Sequence, residues 1–351
     1  MKIKQRIEIV ASTQSGLSPM GSKSRESVLA VLAKHYSSVR ITIVNSESDL
    51  EALVDRRPDL VFLGMKLVLS DQSLGLRDPN KIWVSQYLDE HGIAYTGSNH
   101  LAHELEINKA WAKQCALSAG LLTSPFHVIE RGQWQTTEDT YLTYPVFVKP
   151  TSRGGGQGIN SQSVVYNYGE LKAKVRSLAL ELHSDSLIEE YLPGREFSVA
   201  ILKDEASAHY SVMPIELIAP LNERGARLLS AEVKTADTER SIKVADEAIK
   251  ASVCELAINV FKALGARDYG RIDIRLGESG EPYFLEANLM PSLKKNKGNY
   301  FPKACRLNID LDYEQMILGI ARLGLARAKS ADEAIAEAGT IKILPTLEPV
   351  F

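Results

Sequence analysis

The chain has 351 residues, a formal net charge of −3, 44% hydrophobic residues and 24% charged residues. At roughly 150 residues per domain, this length predicts two or three domains. The near balance of charge argues against nucleic acid or an anionic membrane surface as a partner, and the longest apolar stretches are too short and interrupted to span a bilayer.

The chain start and the cysteines favour a cytoplasmic protein. "MKIKQRIEIV" alternates apolar and polar residues, which predicts a first β-strand and not a signal peptide. Cys115, Cys254 and Cys305 lie far apart and lack metal-ligand spacing. We therefore expect reduced thiols.

Strand and helix patterns alternate through the first hundred residues. "IEIV", "VRITIV", "DLVFLG" and "IAYTGS" predict strands. The helix patterns between them are "SRESVLAVLAKHY", "ESDLEALVDR" and "KIWVSQYLDEHG". Such a βαβ series predicts a parallel α/β domain over residues 1–103.

The rest of the chain predicts two further domains. In residues 104–185, one helix over "ELEINKAWAKQCALSAG" precedes strands "FHVIE" and "YPVFVKP" and a helix "YGELKAKVRSLALEL". In residues 186–351, strands joined by short turns predict an antiparallel sheet, accompanied by the helix "DEAIKASVCELAINVFKALG". The end, "ADEAIAEAGTIKILPTLEPVF", predicts a short helix and a tail. The predicted fold class is therefore multidomain, α/β and α+β.

The stretch "RIDIRLGESGEPYFLEAN" is the most informative for chemistry. Because side chains alternate along a strand, Arg271 and Asp273 share one face of the first strand. Glu286 and Asn288 share a face of the second, and the turn "GESGEP" makes the strands neighbours. Oxygen ligands beside an arginine suit Mg²⁺ that holds a polyphosphate. The alternative is a solvated polar sheet face, but the apolar flanks favour a site.

A glycine-rich loop, "TSRGGGQG", follows the strand that ends at Lys149 and Pro150. Gly154, Gly155 and Gly156 free backbone amides that can grip phosphate together with Lys149. A strand follows the loop instead of a helix, so it is neither a P-loop nor a dinucleotide fingerprint. The loop is either a lid over phosphate or a plain flexible hairpin.

Three glutamates and two lysines complete the candidates. Glu189, Glu190 and Glu196 surround a Pro-Gly turn in "LIEEYLPGREFSV" and can accept hydrogen bonds from a nucleoside, although acids at such turns are commonly solvated. Lys109 begins a helix pattern in "INKAWAK", and Lys234 lies in "LLSAEVKTAD". Either lysine is also compatible with an exposed surface position.

Taken in order, these pieces resemble the ATP-grasp superfamily and, within it, the D-alanine–D-alanine ligase family. The resemblance covers residues 90–325 and rests on "YTGS…LA…NKAWAK", "VFVKP", "EEYLPGREFSVAIL" and "GRIDI…LEAN". It implies the ATP-grasp fold, with an N-terminal α/β domain, a small central domain and a C-terminal antiparallel domain. ATP would lie between the last two domains, and the protein would form a homodimer.

The resemblance also implies roles. A carboxylate would attack the γ-phosphate to give an acyl phosphate, an amine would displace phosphate to form an amide or peptide bond, and Arg271 would stabilise the transferring phosphate. Lys109, Lys149, Lys234 and the loop Gly154–Gly156 would bind phosphate. Glu189 and the backbone around Leu192 would hold adenine, Glu196 would bind the ribose, and Glu190 would be a further contact to the nucleotide. Two Mg²⁺, with Mn²⁺ as an alternative, would be held by Asp273, Glu286 and Asn288.

The sequence departs from the family pattern at the substrate positions. Ser24 in "SKSRESV" stands where the family has an acid that holds the substrate amine, and Ser292 replaces a glycine. The predicted function is therefore an ATP-dependent carboxylate–amine ligase with small amino-acid-like substrates. D-alanine–D-alanine ligase itself and a non-catalytic ATP-binding sensor are the alternatives. A dehydrogenase is disfavoured, because "ASTQSGLSPMG" lacks the glycine fingerprint.

Overall fold

The computed structural model describes residues 2–14, 19–131, 133, 142–295 and 299–335. The N-terminal part is a parallel sheet of three strands in the order β2-β1-β3, as the βαβ pattern predicts. Its strands are β1 (Ile3–Ala11), β2 (Tyr36–Ile43) and β3 (Leu60–Leu63). Its helices are α1 (Ser22–His35), α2 (Glu47–Asp55) and α3 (Val84–Glu90). A small antiparallel pair is formed by β4 (Leu67–Val68) and β5 (Ile82–Trp83).

The strand predicted over "IAYTGS" is wrong, because only Tyr95 forms a bridge, to Val61 of β3. The backbone N–H of Gly97 instead donates to the Asp268 carboxylate at 2.9 Å. This contact directs the chain away from the N-terminal sheet and towards the C-terminal one.

The single helix predicted over residues 104–120 is also wrong. Two helices, α4 (His100–Ile107) and α5 (Lys109–Ser118), are separated by Asn108. The Asn108 side chain accepts from the backbone N–H groups of Ala110 and Trp111 and so caps α5. Lys109 is thereby the first residue of α5, and its N–H donates to the Thr151 carbonyl at 3.0 Å.

The central part is a four-stranded sheet in the order β6-β9-β7-β8, with α6 (Tyr168–Glu181) packed on it. Its strands are β6 (Phe126–Ile129), β7 (Val146–Pro150), β8 (Val164–Val165) and β9 (Ser186–Glu190). β9 pairs with both β6 and β7, so a domain boundary between residues 185 and 186 would divide this sheet. We therefore propose the boundary after Glu190; the division into three domains stays a prediction.

The C-terminal part is an antiparallel sheet in the order β12-β11-β10-β13-β14. Its strands are β10 (Glu196–Lys203), β11 (Tyr210–Ile218), β12 (Arg240–Lys243), β13 (Tyr269–Leu276) and β14 (Pro282–Asn288), with helices α7 (Ala231–Ala236), α8 (Glu247–Ala263), α9 (Tyr300–Ile309) and α10 (Tyr313–Ile335). One sheet face packs on α8. The other shares a core with α9, α10 and the N-terminal sheet. No helix among the described residues is long and apolar enough to cross a membrane.

The sequence patterns did not predict α9 or the true start of α10. The described part of the short helix predicted from residue 331, up to Ile335, belongs to α10, which begins at Tyr313. The predicted tail after residue 335 lies outside the described residues.

Gly158 at the end of the glycine-rich loop gives a stability test. Its φ is +78°, and a Cβ there would lie 2.6 Å from Pro150 Cγ and 2.8 Å from Leu182 Cδ1. Gly158→Ala should therefore lower the free energy of unfolding by about 1–3 kcal/mol. Gly154→Ala is the matched control, because Gly154 has open space around it and no positive φ. Equal urea midpoints for the two variants would contradict this account.

Candidate active site

One cavity lies between the central sheet and the C-terminal sheet. Eight of the sequence-predicted site residues line it: Lys149, Glu189, Glu190, Leu192, Glu196, Lys234, Asp273 and Glu286. The remaining lining residues are Phe147, Ile159, Tyr191, Leu217, Leu228, Leu229, Arg275, Leu285 and Tyr300. The lining thus combines apolar side chains with lysines and carboxylates, a composition suited to a ligand with a flat apolar part and an anionic part.

A bulge in the β13–β14 hairpin brings the predicted acidic residues together. Next to the turn, Leu276 pairs with Pro282 and Ile274 with Phe284, but beyond it Asp273 pairs with Glu286. Leu285 is the extra residue. Without this bulge Asp273 would face Leu285, and Glu286 would point to the opposite sheet face.

Contacts to the edge strand hold the bulge at Phe284. The Phe284 N–H donates to the Leu122 carbonyl at 2.9 Å. The Phe284 carbonyl accepts from Thr123 Oγ1 at 2.7 Å and from Lys113 Nζ at 3.3 Å. The chain after α5 therefore takes the place of a neighbouring strand at the point where the register changes.

Asp273 is the centre of the polar group at this end of the cavity. Its carboxylate accepts from Arg271 Nε and Nη2, both at 2.9 Å, and from Ser198 Oγ at 2.7 Å. Asn288 Nδ2 adds a bond of 3.2 Å. The Arg271 guanidinium lies 5.3 Å from the centre of the Tyr300 ring. The predicted juxtaposition of Arg271, Asp273, Glu286 and Asn288 is therefore present.

Three lysines and two glutamates form what we call the lysine–glutamate cluster: Lys109, Lys113, Lys149, Glu189 and Glu286. Glu189 lies between two of the lysines, with Oε2 2.9 Å from Lys113 Nζ and Oε1 2.6 Å from Lys149 Nζ. Lys109 Nζ lies 3.5 Å from Glu286 Oε2 and also donates to the Arg153 carbonyl in the glycine-rich loop.

The cluster keeps its carboxylates ionised despite burial. Burial alone raises the pKa of Glu189, but Lys113 and Lys149 outweigh it and lower the pKa to about 2. The pKa of Glu286 is likewise about 2, because Lys109, Lys149, Lys234 and Arg271 outweigh burial. Burial lowers the pKa of Lys113 to about 8, against the pull of Glu189, so Lys113 is still mostly protonated at pH 7.

The glycine-rich loop packs against the chain that carries Lys234. A Cβ on Gly156 would lie 2.9 Å from the Ala231 backbone nitrogen and 3.0 Å from the Ser230 carbonyl carbon. Only glycine permits this approach, since the φ of Gly156 is also +80°. None of Gly154, Gly155 and Gly156 lines the cavity, but the loop that contains them lies between Lys109 and α7.

The predicted nucleoside end contains an arginine that the sequence patterns did not single out. Arg275 Nη1 donates to Glu196 Oε2 at 3.0 Å, and its guanidinium lies 5.4 Å from the Tyr191 ring centre. Burial raises the pKa of Glu196, and Arg275 opposes this shift. Arg275 lies two residues after Asp273, so strand alternation places it on the same face as Arg271 and Asp273. Lys113 lies four residues after Lys109, so both lysines share one face of α5. Both residues could therefore have been found from the sequence.

The oxygen donors fit a hard divalent cation. Asp273 and Glu286 face each other across the hairpin, and the Asn288 amide lies beside Asp273. Within the described residues, no group of three or more His, Cys, Asp or Glu side chains has a metal-binding arrangement. These two carboxylates and one amide would therefore need a ligand such as phosphate to complete a coordination shell.

The N-terminal part carries different groups from those of the family pattern. Ser24 is fully buried, and its hydroxyl has no hydrogen-bond partner. Lys66 Nζ pairs with Glu106 Oε1 at 2.7 Å, and the second Glu106 oxygen lies 2.9 Å from His103 Nδ1. At the position where the family pattern has an acid, this chain thus has the neutral, buried hydroxyl of Ser24.

Sequence comparison places the chain among ligases. The family model described as D-ala D-ala ligase C-terminus matches residues 116–321, more than half of the chain. The uncharacterized protein y4sG of Sinorhizobium fredii is 32% identical over 60% of this chain, and the alignment spans only 61% of that protein. A D-alanine–D-alanine ligase of Pelobacter propionicus is 28% identical over 84% of this chain and 94% of its own length.

Solved structures agree on the fold. A D-alanine–D-alanine ligase of Bacillus anthracis, crystallised with ATP, superposes with a TM-score of 0.70 over 93% of this chain and 99% of its own, at 20% identity. The enzyme of Coxiella burnetii gives a TM-score of 0.64 over 95% of this chain and 97% of its own, at 16% identity. The predicted ATP-grasp fold is thereby confirmed. The chain belongs to the D-alanine–D-alanine ligase family of ATP-dependent C–N ligases.

Proposed function

We propose that this protein joins a carboxylate to an amine at the expense of ATP, through an acyl phosphate, and releases ADP and phosphate. The observation that carries the proposal is that Asp273 and Glu286 line the same cavity as Lys149 and Glu189. Arg271 is bonded to Asp273, and Lys109 lies beside Glu286. A site that only bound a nucleotide would not need a half-buried arginine beside the carboxylates. Family membership supports the same chemistry.

The arrangement supports a defined role for each group. Lys109, Lys149 and Lys234 carry positive charge at the same end as Glu286, where the phosphates of ATP would lie. Arg271 would meet the charge that develops on the transferring phosphoryl group. The apolar walls would take adenine, and Glu196 would accept from the ribose hydroxyls. Both oxygens of Glu189 contact lysines, so contact with adenine here would fall to the backbone near Leu192.

A divalent cation completes the proposal. Asp273, Glu286 and Asn288 would hold Mg²⁺, and the ion would neutralise phosphate charge during transfer. In the structure, Arg271, Ser198 and Asn288 donate hydrogen bonds to the Asp273 carboxylate. Two ions and a homodimer are expected from the family resemblance alone, and a cytoplasmic location from the three separated cysteines.

The substrates are proposed to be amino-acid-like but not a pair of D-alanines. The relatives named above are mostly D-alanine–D-alanine ligases, which favours that activity as the second candidate. Against it, the buried Ser24 hydroxyl offers no charge to a substrate ammonium group. An ammonium group buried without a carboxylate is strongly disfavoured.

Replacing Arg271 tests the proposed chemistry. Arg271→Ala should lower kcat at least about 100-fold, because a preorganised donor to transition-state charge is lost. Phosphate release measures the rate, and calorimetry with Mg-ATP shows whether the variant still folds and binds. Arg322→Ala, an exposed arginine on α10 paired with Glu205, is the matched control. Activity of Arg271→Ala within about threefold of the parent would remove the basis of the assignment.

A substrate panel tests the second candidate. Protein, Mg-ATP and pairs of amino acids are mixed, phosphate release is followed, and the product is identified by mass spectrometry. We expect D-alanine alone to give slower release than the best pair, because Ser24 cannot pair with its ammonium group. Fastest release with D-alanine alone would instead establish D-alanine–D-alanine ligase activity. Tight Mg-ATP binding without release on any pair would favour a sensor.

A further inference from the structure

Lys113 is the most buried cation of the lysine–glutamate cluster, yet it does not line the cavity. Its side chain has no exposed surface. Its ammonium group lies within hydrogen-bonding distance of four acceptors: Glu189 Oε2 at 2.9 Å, Thr123 Oγ1 at 2.6 Å, Ser124 Oγ at 3.1 Å and the Phe284 carbonyl at 3.3 Å. An ammonium group has three donors, so Lys113 has none to spare for a ligand.

The contact with Glu189 links Lys113 to Lys149. Glu189 divides its two oxygens between Lys113 and Lys149. With all five groups ionised, the cluster holds three positive and two negative charges, so one positive charge is left over to attract an anion. Without Lys113 the remaining lysines and carboxylates would neutralise each other, and Lys149 would be held by an undivided carboxylate.

Another contact reaches the carboxylate end of the cavity. Lys113 and Thr123 both donate to the carbonyl of Phe284, the residue immediately before the bulged Leu285. The register change at this point places Glu286 opposite Asp273. One ammonium group therefore contacts both the partner of Lys149 and the strand that positions Glu286.

We propose that Lys113 is a positioning residue for the phosphate groups of the nucleotide, acting through Glu189 on Lys149 and through the Phe284 carbonyl on Glu286. The inference rests on the proposed function only in taking ATP as the ligand of the cavity. Binding measurements test it without any requirement for ligase turnover.

The first experiment compares ATP with adenosine. Lys113→Met should weaken binding of Mg-ATP at least about tenfold, the effect of losing one charge-assisted hydrogen bond to phosphate. Binding of adenosine, read by displacement of a fluorescent ATP analogue, should change less than about twofold, since Lys113 affects only the phosphate end. Gln114→Met, an exposed neighbour on the same helix, is the matched control.

A second variant guards against loss of folding and separates positioning from a general structural role. Lys113→Met/Glu189→Gln removes the buried pair together, which is tolerated better than removal of one partner. It also frees Lys149 from Glu189, so Mg-ATP affinity should recover to within about threefold of the parent. A structural defect would weaken the binding of adenosine together with that of Mg-ATP, so adenosine binding is measured on both variants.

Three results would overturn the inference: Mg-ATP binding by folded Lys113→Met within about twofold of the parent, an equal loss for adenosine and ATP, or a double variant that binds Mg-ATP no better than Lys113→Met. A parent protein that binds Mg-ATP but releases no phosphate on any substrate pair would contradict the proposed function alone. A parent that binds no Mg-ATP would contradict both.

Discussion

The carbonyl group of Phe284 is the contact on which the arrangement of the cavity depends. It accepts from Thr123 and Lys113, whereas a regular edge strand would leave it unpaired or paired with another strand. The chain shifts register by one residue directly after it, and Leu285 and Glu286 both come to line the cavity. Because the side-chain period of a strand is two, this single-residue shift decides whether Glu286 faces Asp273 or the hydrophobic core.

Charge balance is the second constraint on the site. Burying ionised groups side by side, as four of the five members of the cluster are, is costly unless each has a partner at hydrogen-bonding distance. Here the carboxylates of Glu189 and Glu286 are stabilised by several cations, and the cluster keeps one net positive charge. The end of the cavity that we propose binds phosphate is therefore preorganised, because its charges are held by neighbours before any ligand arrives.

Backbone contacts join the glycine-rich loop to the rest of the site. Lys109 donates to Thr151 through its N–H and to Arg153 through its ammonium group, so the start of α5 holds the start of the loop. Gly156 then lies against Ser230 and Ala231, where α7 begins. The same loop therefore contacts the elements that carry Lys109 and Lys234, the lysines that we propose bind phosphate.

The sequence by itself determined the parallel N-terminal sheet, the antiparallel C-terminal sheet, the family and the residue types of the site, because these follow from periodicity and from short ordered motifs. Arg271, Asp273, Glu286 and Asn288 were grouped correctly, although strict alternation across the turn would have paired Asp273 with Leu285. Only the tertiary structure decided the bulge, the contact of Lys109 with Thr151 and the burial of Lys113, since each depends on a partner distant in sequence. Phe284 bonds with Thr123, Lys109 with Thr151, and Lys113 with Glu189. No local pattern in the sequence predicts these contacts.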